Sequence, residues 1–180
     1  MKTLVIHPFD KTTHFLREIY EDIPTKTVIT GGYTIAEVEN LILAHNRIIM
    51  LGHGSPNGLF SVGQFGGSNG YIVDFKTAEL LRDKQNIYIW CHANQFVEKH
   101  NLKGLYSGMF VSEVGEALVY SLKGDKRLIE ESNNTFAFML GSVINKPMNE
   151  AYEQLKSEYG WLAGRNEIAK FNHERLMLAE

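Results

Sequence analysis

A single cysteine, Cys91, in a chain of 180 residues excludes an internal disulfide framework, and an exposed lone thiol persists best in a reducing compartment. Four prolines and no compositionally biased tract leave little room for disordered linkers. No apolar run approaches the ~18 residues that a membrane helix needs, and the apolar stretch at residues 1–7 is too short for a signal peptide. Charge of one sign is not in excess either: 18 Lys and Arg stand against 21 Asp and Glu, a formal net charge of -3. With no basic stripe there is no electrostatic footprint for nucleic acid. The absences together point to a cytoplasmic protein that engages neither nucleic acid nor membrane. What is present, 44% hydrophobic and 22% charged residues, is the composition of one globular domain with a sizeable core.

Short β-rich runs alternate with helical patterns through the first two thirds of the chain, the signature of βαβ units and a mostly parallel sheet. The spacing predicts strands at 4–7, 27–30, 47–51, 87–90 and 108–111. Leu16, Ile19, Tyr20 and Ile23 follow i, i+3, i+4, i+7 and predict a helix closed by Pro24. Ile35, Val38, Leu41 and Ile42 predict another, with Thr34 as its N-cap. After residue 53 the pattern changes. Ser55-Pro56-Asn57-Gly58 signals a turn, 59–62 and 71–73 read as a β-hairpin around a glycine-rich tip, and 75–81 reads as a helix. Helices are also expected near 94–100 and after 111, striped by Val114, Ala117, Leu118 and Leu122. The last third reads as helical throughout, including the weakly periodic tail from 161 to 180. The chain is therefore read as one domain, 1–180, with the sheet and crossover helices in 1–122 and a helical extension in 123–180.

The chemistry concentrates at two strand exits. Ile48-Ile49-Met50-Leu51 runs into Gly52-His53-Gly54, and Ile87-Tyr88-Ile89-Trp90 runs into Cys91. The carboxyl ends of parallel strands open into the crevice where α/β proteins keep their sites. A thiol there becomes a useful nucleophile only once an imidazole takes its proton. The amides of Gly54 and of Cys91 itself are candidate donors to a developing oxyanion. Neither a P-loop nor G-x-G-x-x-G is present, and no C-x-x-C or H-x-x-x-H spacing accompanies Cys91-His92, so no metal and no cofactor are expected.

An apolar strand ending in His-Gly, a small hairpin, a helix, and a second apolar strand ending in cysteine, here 38 positions after the histidine, resembles the caspase-like (clan CD) cysteine peptidases. The nearest of these are the bacterial caspase-like and CHAT-type members. The resemblance covers roughly 1–122 in element order. It implies a three-layer α/β sandwich with a mostly parallel central sheet, a small β-hairpin after the third strand and a helical C-terminal third. By the same resemblance the protein is a thiol protease hydrolysing peptide bonds through a Cys91 thioester, with His53 as general base and acid and Gly54 and Cys91 as the oxyanion hole. It further implies a substrate pocket from the loop after the first strand and the segment after the strand that follows the cysteine. Those positions hold Asp10, Ser112 and Glu113, whose acidic groups would select a basic P1 residue. The partner is then a peptide or protein substrate. The chain departs from the family in carrying Trp90 before the cysteine and His92-Ala93 after it, where small residues are usual. Two other readings stay open: a catalytically inactive domain of the same fold that acts as a binding or regulatory module, and a flavodoxin-like domain that binds a small phosphorylated ligand at the sheet's switch point.

Overall fold

The computed structural model describes residues 1–180. In chain order its elements are β1 (Thr3–Ile6), a 3-10 helix (His14–Tyr20), β2 (Lys26–Ile29), α1 (Ile35–Ala44) and β3 (Arg47–Leu51). Next come β4 (Gly54–Ser55), β5 (Gly58–Phe60), β6 (Tyr71–Val73), α2 (Ala78–Leu81), β7 (Gln85–Ile89), α3 (Ala93–His100) and β8 (Gly104–Ser107). The last third holds α4 (Val114–Val119), α5 (Lys126–Val143), α6 (Met148–Ala163), α7 (Glu167–His173) and β9 (Leu176–Ala179). Six strands form one sheet in the order β2-β1-β3-β7-β8-β9, parallel except for β9.

The alternation along each strand sorts the core into two layers. Val5, Ile49, Leu51, Ile87 and Ile89 face the 3-10 helix, α5 and α6, where Phe136, Leu140, Leu155 and Tyr159 are buried. Leu4, Ile6, Ile48, Met50, Tyr88 and Trp90 face α1, α2 and α3, where Val38, Ile42, Leu81 and Phe96 close the opposite side. Because both faces are covered, β3 is buried at every position; its apolar run Ile48–Leu51 suits that, and Arg47 is accommodated by donating to the Thr3 hydroxyl and the Ile144 carbonyl. α1 starts where Thr34 and Glu37 form a reciprocal capping box. The result is an α/β sandwich with a mostly parallel sheet and a largely helical C-terminal part.

Four local expectations are corrected. The fifth strand is 104–107, not 108–111. Gly104 (φ +132°) enters it where any Cβ would collide with the Asn86 carbonyl, and this glycine interrupts the apolar pattern that marks a strand. Residues 108–111 instead form an irregular segment, buried through Phe110 and Val111. The tail is not one helix: α7 is capped by the Asn166 side chain, which accepts from the Ile168 and Ala169 amides, and β9 then pairs antiparallel with β8. The first helix is 3-10 rather than α. The expected hairpin is a three-stranded antiparallel unit, since Gly54-Ser55 adds a strand before the turn. No helix is long and apolar enough to cross a membrane.

Candidate active site

β3 and β7 are parallel neighbours in a register that sets Leu51 opposite Ile89. Two residues beyond each lie His53 and Cys91, so the 38-residue spacing in sequence equals the register offset in space. The two side chains thus emerge from adjacent strands at one level, and both line a cleft of about 550 Å³. No hydrogen bond joins them.

His53 is held from the side of β1. Its Nε2 lies 2.6 Å from Thr12 Oγ1, and that hydroxyl donates to Asp10 Oδ1 at 2.7 Å. The Thr12 amide donates to the same carboxylate oxygen at 2.8 Å. A hydroxyl has one proton, and here it goes to the carboxylate; Thr12 Oγ1 therefore accepts from Nε2–H, which leaves Nδ1 as the unprotonated nitrogen. Nδ1 makes no hydrogen bond, so its lone pair is free for a proton. The two Thr12 bonds hold the Asp10 carboxyl below the ordinary carboxylate range, with nearby His53 adding to the effect. The arrangement is a relay in which Asp10 and Thr12 orient an imidazole through its far nitrogen.

Cys91 has a different environment. Its thiol meets the Phe110 carbonyl oxygen at 3.4 Å and Glu116 Oε1 at 3.7 Å. Burial first, and then the negative charge of Glu116, push the thiol pKa up to about 12. At neutral pH the resting group is S–H. Glu116 is fixed by its other oxygen, which accepts from the Ser112 amide at 2.8 Å, the Ser112 hydroxyl at 3.2 Å and the Glu113 amide at 3.2 Å. These bonds cap the start of α4 and aim Oε1 at the sulfur.

The candidate oxyanion donors are free. Gly54 lies opposite Leu59, and the preceding His53 carbonyl accepts from the Phe60 amide at 2.9 Å. Antiparallel pairs alternate between bonded and non-bonded, so the Gly54 N–H points away from β5. The Cys91 N–H makes no backbone hydrogen bond, whereas the next amide, His92, donates to the Gly108 carbonyl at 3.0 Å.

Trp90 does not crowd the thiol. Strand alternation sends its indole into the other layer, where it is buried and donates from Nε1 to the Ser55 carbonyl at 3.1 Å. It is the floor of the Gly54-Ser55 turn. Asp10 is engaged with Thr12 and His53 instead of lining the cleft, because residues 10–12 close on themselves through the Thr12 amide. Of the expected pocket acids, Glu113 contributes an amide to Glu116, and the carboxylate that reaches the cleft is Glu116. Ser112 borders the small space beneath the thiol. No group of three or more His, Cys, Asp or Glu side chains is placed to hold a metal ion.

Besides Glu116, sequence reading misses two positions. Thr12 carries no motif, and Asn172 lies 61 residues from the segment it holds. Fully buried Asn172 accepts from the Val111 amide at 2.7 Å and donates to the Val111 carbonyl at 2.8 Å, giving irregular 108–112 the pairing that a strand would have supplied. Asn172→Ala strands both backbone groups, at about 1–3 kcal/mol for each one left unsatisfied. We expect a fall in stability of about 3 kcal/mol in a denaturant titration, with faster amide exchange across 108–113. An unchanged denaturation midpoint would contradict this role.

The chain matches no family model and no curated protein. Among solved structures it is similar to the Trp repressor binding protein from Bacillus subtilis, at 9% identity over 78% of this chain and 98% of that one, with a TM-score of 0.42. It is also similar to the RcsB response regulator of Salmonella typhimurium, at 14% identity over 94% and 95% of the two chains, with a TM-score of 0.36.

Proposed function

We propose that the protein is a caspase-like cysteine endopeptidase acting on peptide or protein substrates. The observation that carries this reading is the equivalent placement of His53 and Cys91 at the exits of neighbouring parallel strands, on one cleft with two free amide donors. The three-stranded antiparallel unit between them and the helix before β7 agree with the element order that the resemblance implies. A lone free cysteine suits a reducing compartment such as the cytoplasm.

In the reaction, the substrate carbonyl enters between the two residues with its oxygen toward the Gly54 and Cys91 amides. The Cys91 proton passes to His53 Nδ1 as the sulfur–carbon bond forms. His53 then gives that proton to the leaving amine as the carbon–nitrogen bond breaks, leaving a thioester on Cys91. Water, deprotonated by the same nitrogen, attacks the thioester and returns the thiol. The Thr12–Asp10 relay keeps Nδ1 directed at the reacting centre and stabilises the transient imidazolium. Glu116 is the acid best placed to read a basic P1 side chain, with Oε1 unbonded except for its thiol contact.

A positional-scanning peptide library tests the reading. Wild type is expected to cleave after Arg or Lys, and Cys91→Ala to give no turnover and no acyl adduct by intact mass. A second reading, a non-catalytic binding module, is favoured by the S–H held between Phe110 and Glu116. Peptide binding without cleavage by wild type would establish it in place of the first.

A further inference from the structure

Glu116 is a carboxylate with one oxygen saturated and one held against a thiol, a contact that opposes the chemistry the rest of the cleft invites. No Lys or Arg side chain pairs with it. The cleft around it is walled by Phe60, Val62, Met109 and Val119, so the carboxylate lines an open, largely apolar cleft. An apolar stem with a cationic head fills such a space while bringing its charge to the acid. The titratable groups around the sulfur are few: His53 beyond β3, His92 next in sequence, Glu113 and Glu116 at α4, and Tyr120 at the end of α4 across the cleft, with Asp10 acting through Thr12 and His53.

We propose that Glu116 couples recognition to activation: in the empty cleft it keeps Cys91 as S–H, and a guanidinium or ammonium group paired to its carboxylate releases the thiol for transfer of its proton to His53. The proposal rests on the catalytic reading of Cys91 and His53 and adds to it a substrate-dependent switch. A cation at the carboxylate compensates the charge that opposes thiolate formation and competes for the oxygen that now faces the S–H. The direction agrees with the cause of the thiol's raised pKa, in which the Glu116 charge follows burial.

Because Cys91 is the sole cysteine, iodoacetamide alkylation followed by intact mass reads its ionisation directly and needs no peptide turnover. Each unit of pKa removed raises the thiolate fraction about tenfold and lowers its intrinsic nucleophilicity about threefold, a net gain of roughly threefold per unit. Glu116→Gln keeps an oxygen for the Ser112 and Glu113 amides while removing the charge. It is expected to react roughly three- to tenfold faster than wild type near neutral pH. Methylguanidine should accelerate wild type saturably by a similar factor and leave Glu116→Gln unchanged, with equal sodium chloride as the ionic-strength control. The wild-type arm stands even where the variant folds poorly. Equal alkylation rates for wild type and a folded Glu116→Gln, or methylguanidine that leaves wild type unchanged or slows it, would overturn the coupling. Failure of the peptidase reading looks different: alkylation responds as described while no peptide is cleaved.

Discussion

His53→Ala is expected to lower peptide turnover by about 10²–10⁴-fold while leaving the fold intact. The range is that of a positioned general acid and base, and the upper part is favoured because the Cys91 thiol, with a pKa near 12, ionises poorly without a proton acceptor. His53 is partly exposed at the mouth of the cleft, so its truncation removes little packing. On the proposed peptidase mechanism, Thr12 would act on the same reaction at one remove. Thr12→Val keeps the size and deletes the hydroxyl, breaking the link from Nε2 to Asp10; a loss of roughly tenfold is expected, smaller than for His53→Ala. The split between kcat and KM separates orientation from simple damage. The loss is expected in kcat with KM little changed, because the hydroxyl orients the imidazole through its far nitrogen and does not line the cleft. Thr12→Ser should restore the rate. Turnover by His53→Ala at the wild-type rate would remove His53 from the mechanism.

Much of this site was legible in the sequence for a physical reason. A parallel strand covered on both faces carries a near-continuous apolar run, so 48–51 and 87–90 stand out beside the buried polar Arg47 and Asn86, and the residues that end such runs fall at the crevice. The parallel pairing of β3 with β7 then turned a sequence spacing into a spatial one. Legibility ended where structure depends on non-local partners. β9 is a four-residue strand that exists because β8 offers it an edge some 70 residues earlier, and no local period announces that. Residues 108–111 carry strand-like side chains, but their backbone bonds go to Asn172, to the loop before β9 and to the His92 amide. The resemblance places the pocket acids at Asp10 and Glu113. The carboxylate that lines the cleft beside the thiol is Glu116, because its own capping bonds turn it back toward the loop, a geometry that spacing alone does not distinguish from a solvated first turn. Trp90 is the clearest case of a side chain whose direction decides its meaning. One residue of strand alternation separates obstruction of the thiol from support of the turn beside it.

That support makes Gly54→Ala a strongly destabilising substitution. A Cβ at residue 54 would overlap the Trp90 indole on one side and the Gly58 carbonyl oxygen on the other. Neither can withdraw easily: Trp90 is 1% exposed, stacked edge-on between Tyr88 and Phe96, and anchored to the Ser55 carbonyl. The Gly58 oxygen is backbone in the strand paired with Ser55. Overpacking a site with no slack costs about 1–3 kcal/mol and more where backbone must move, so a loss of about 3 kcal/mol is expected. For a chain of this length that corresponds to a fall in Tm of roughly 6–12 °C. Trp90→Leu separates the two clashes. If the indole is the main obstacle, the double variant is destabilised by less than the sum of the two single changes, by about 1 kcal/mol or more in a double-mutant cycle; strict additivity would assign the cost to the Gly58 carbonyl. Activity should suffer in either case. On the peptidase reading, the strand that accommodates residue 54 would also present its N–H to the substrate oxygen, and displacing that amide would remove a donor worth about 3–4 kcal/mol of transition-state stabilisation in comparable sites. A Gly54→Ala protein as stable as wild type would show that the turn can yield, and that Trp90 does not set its shape.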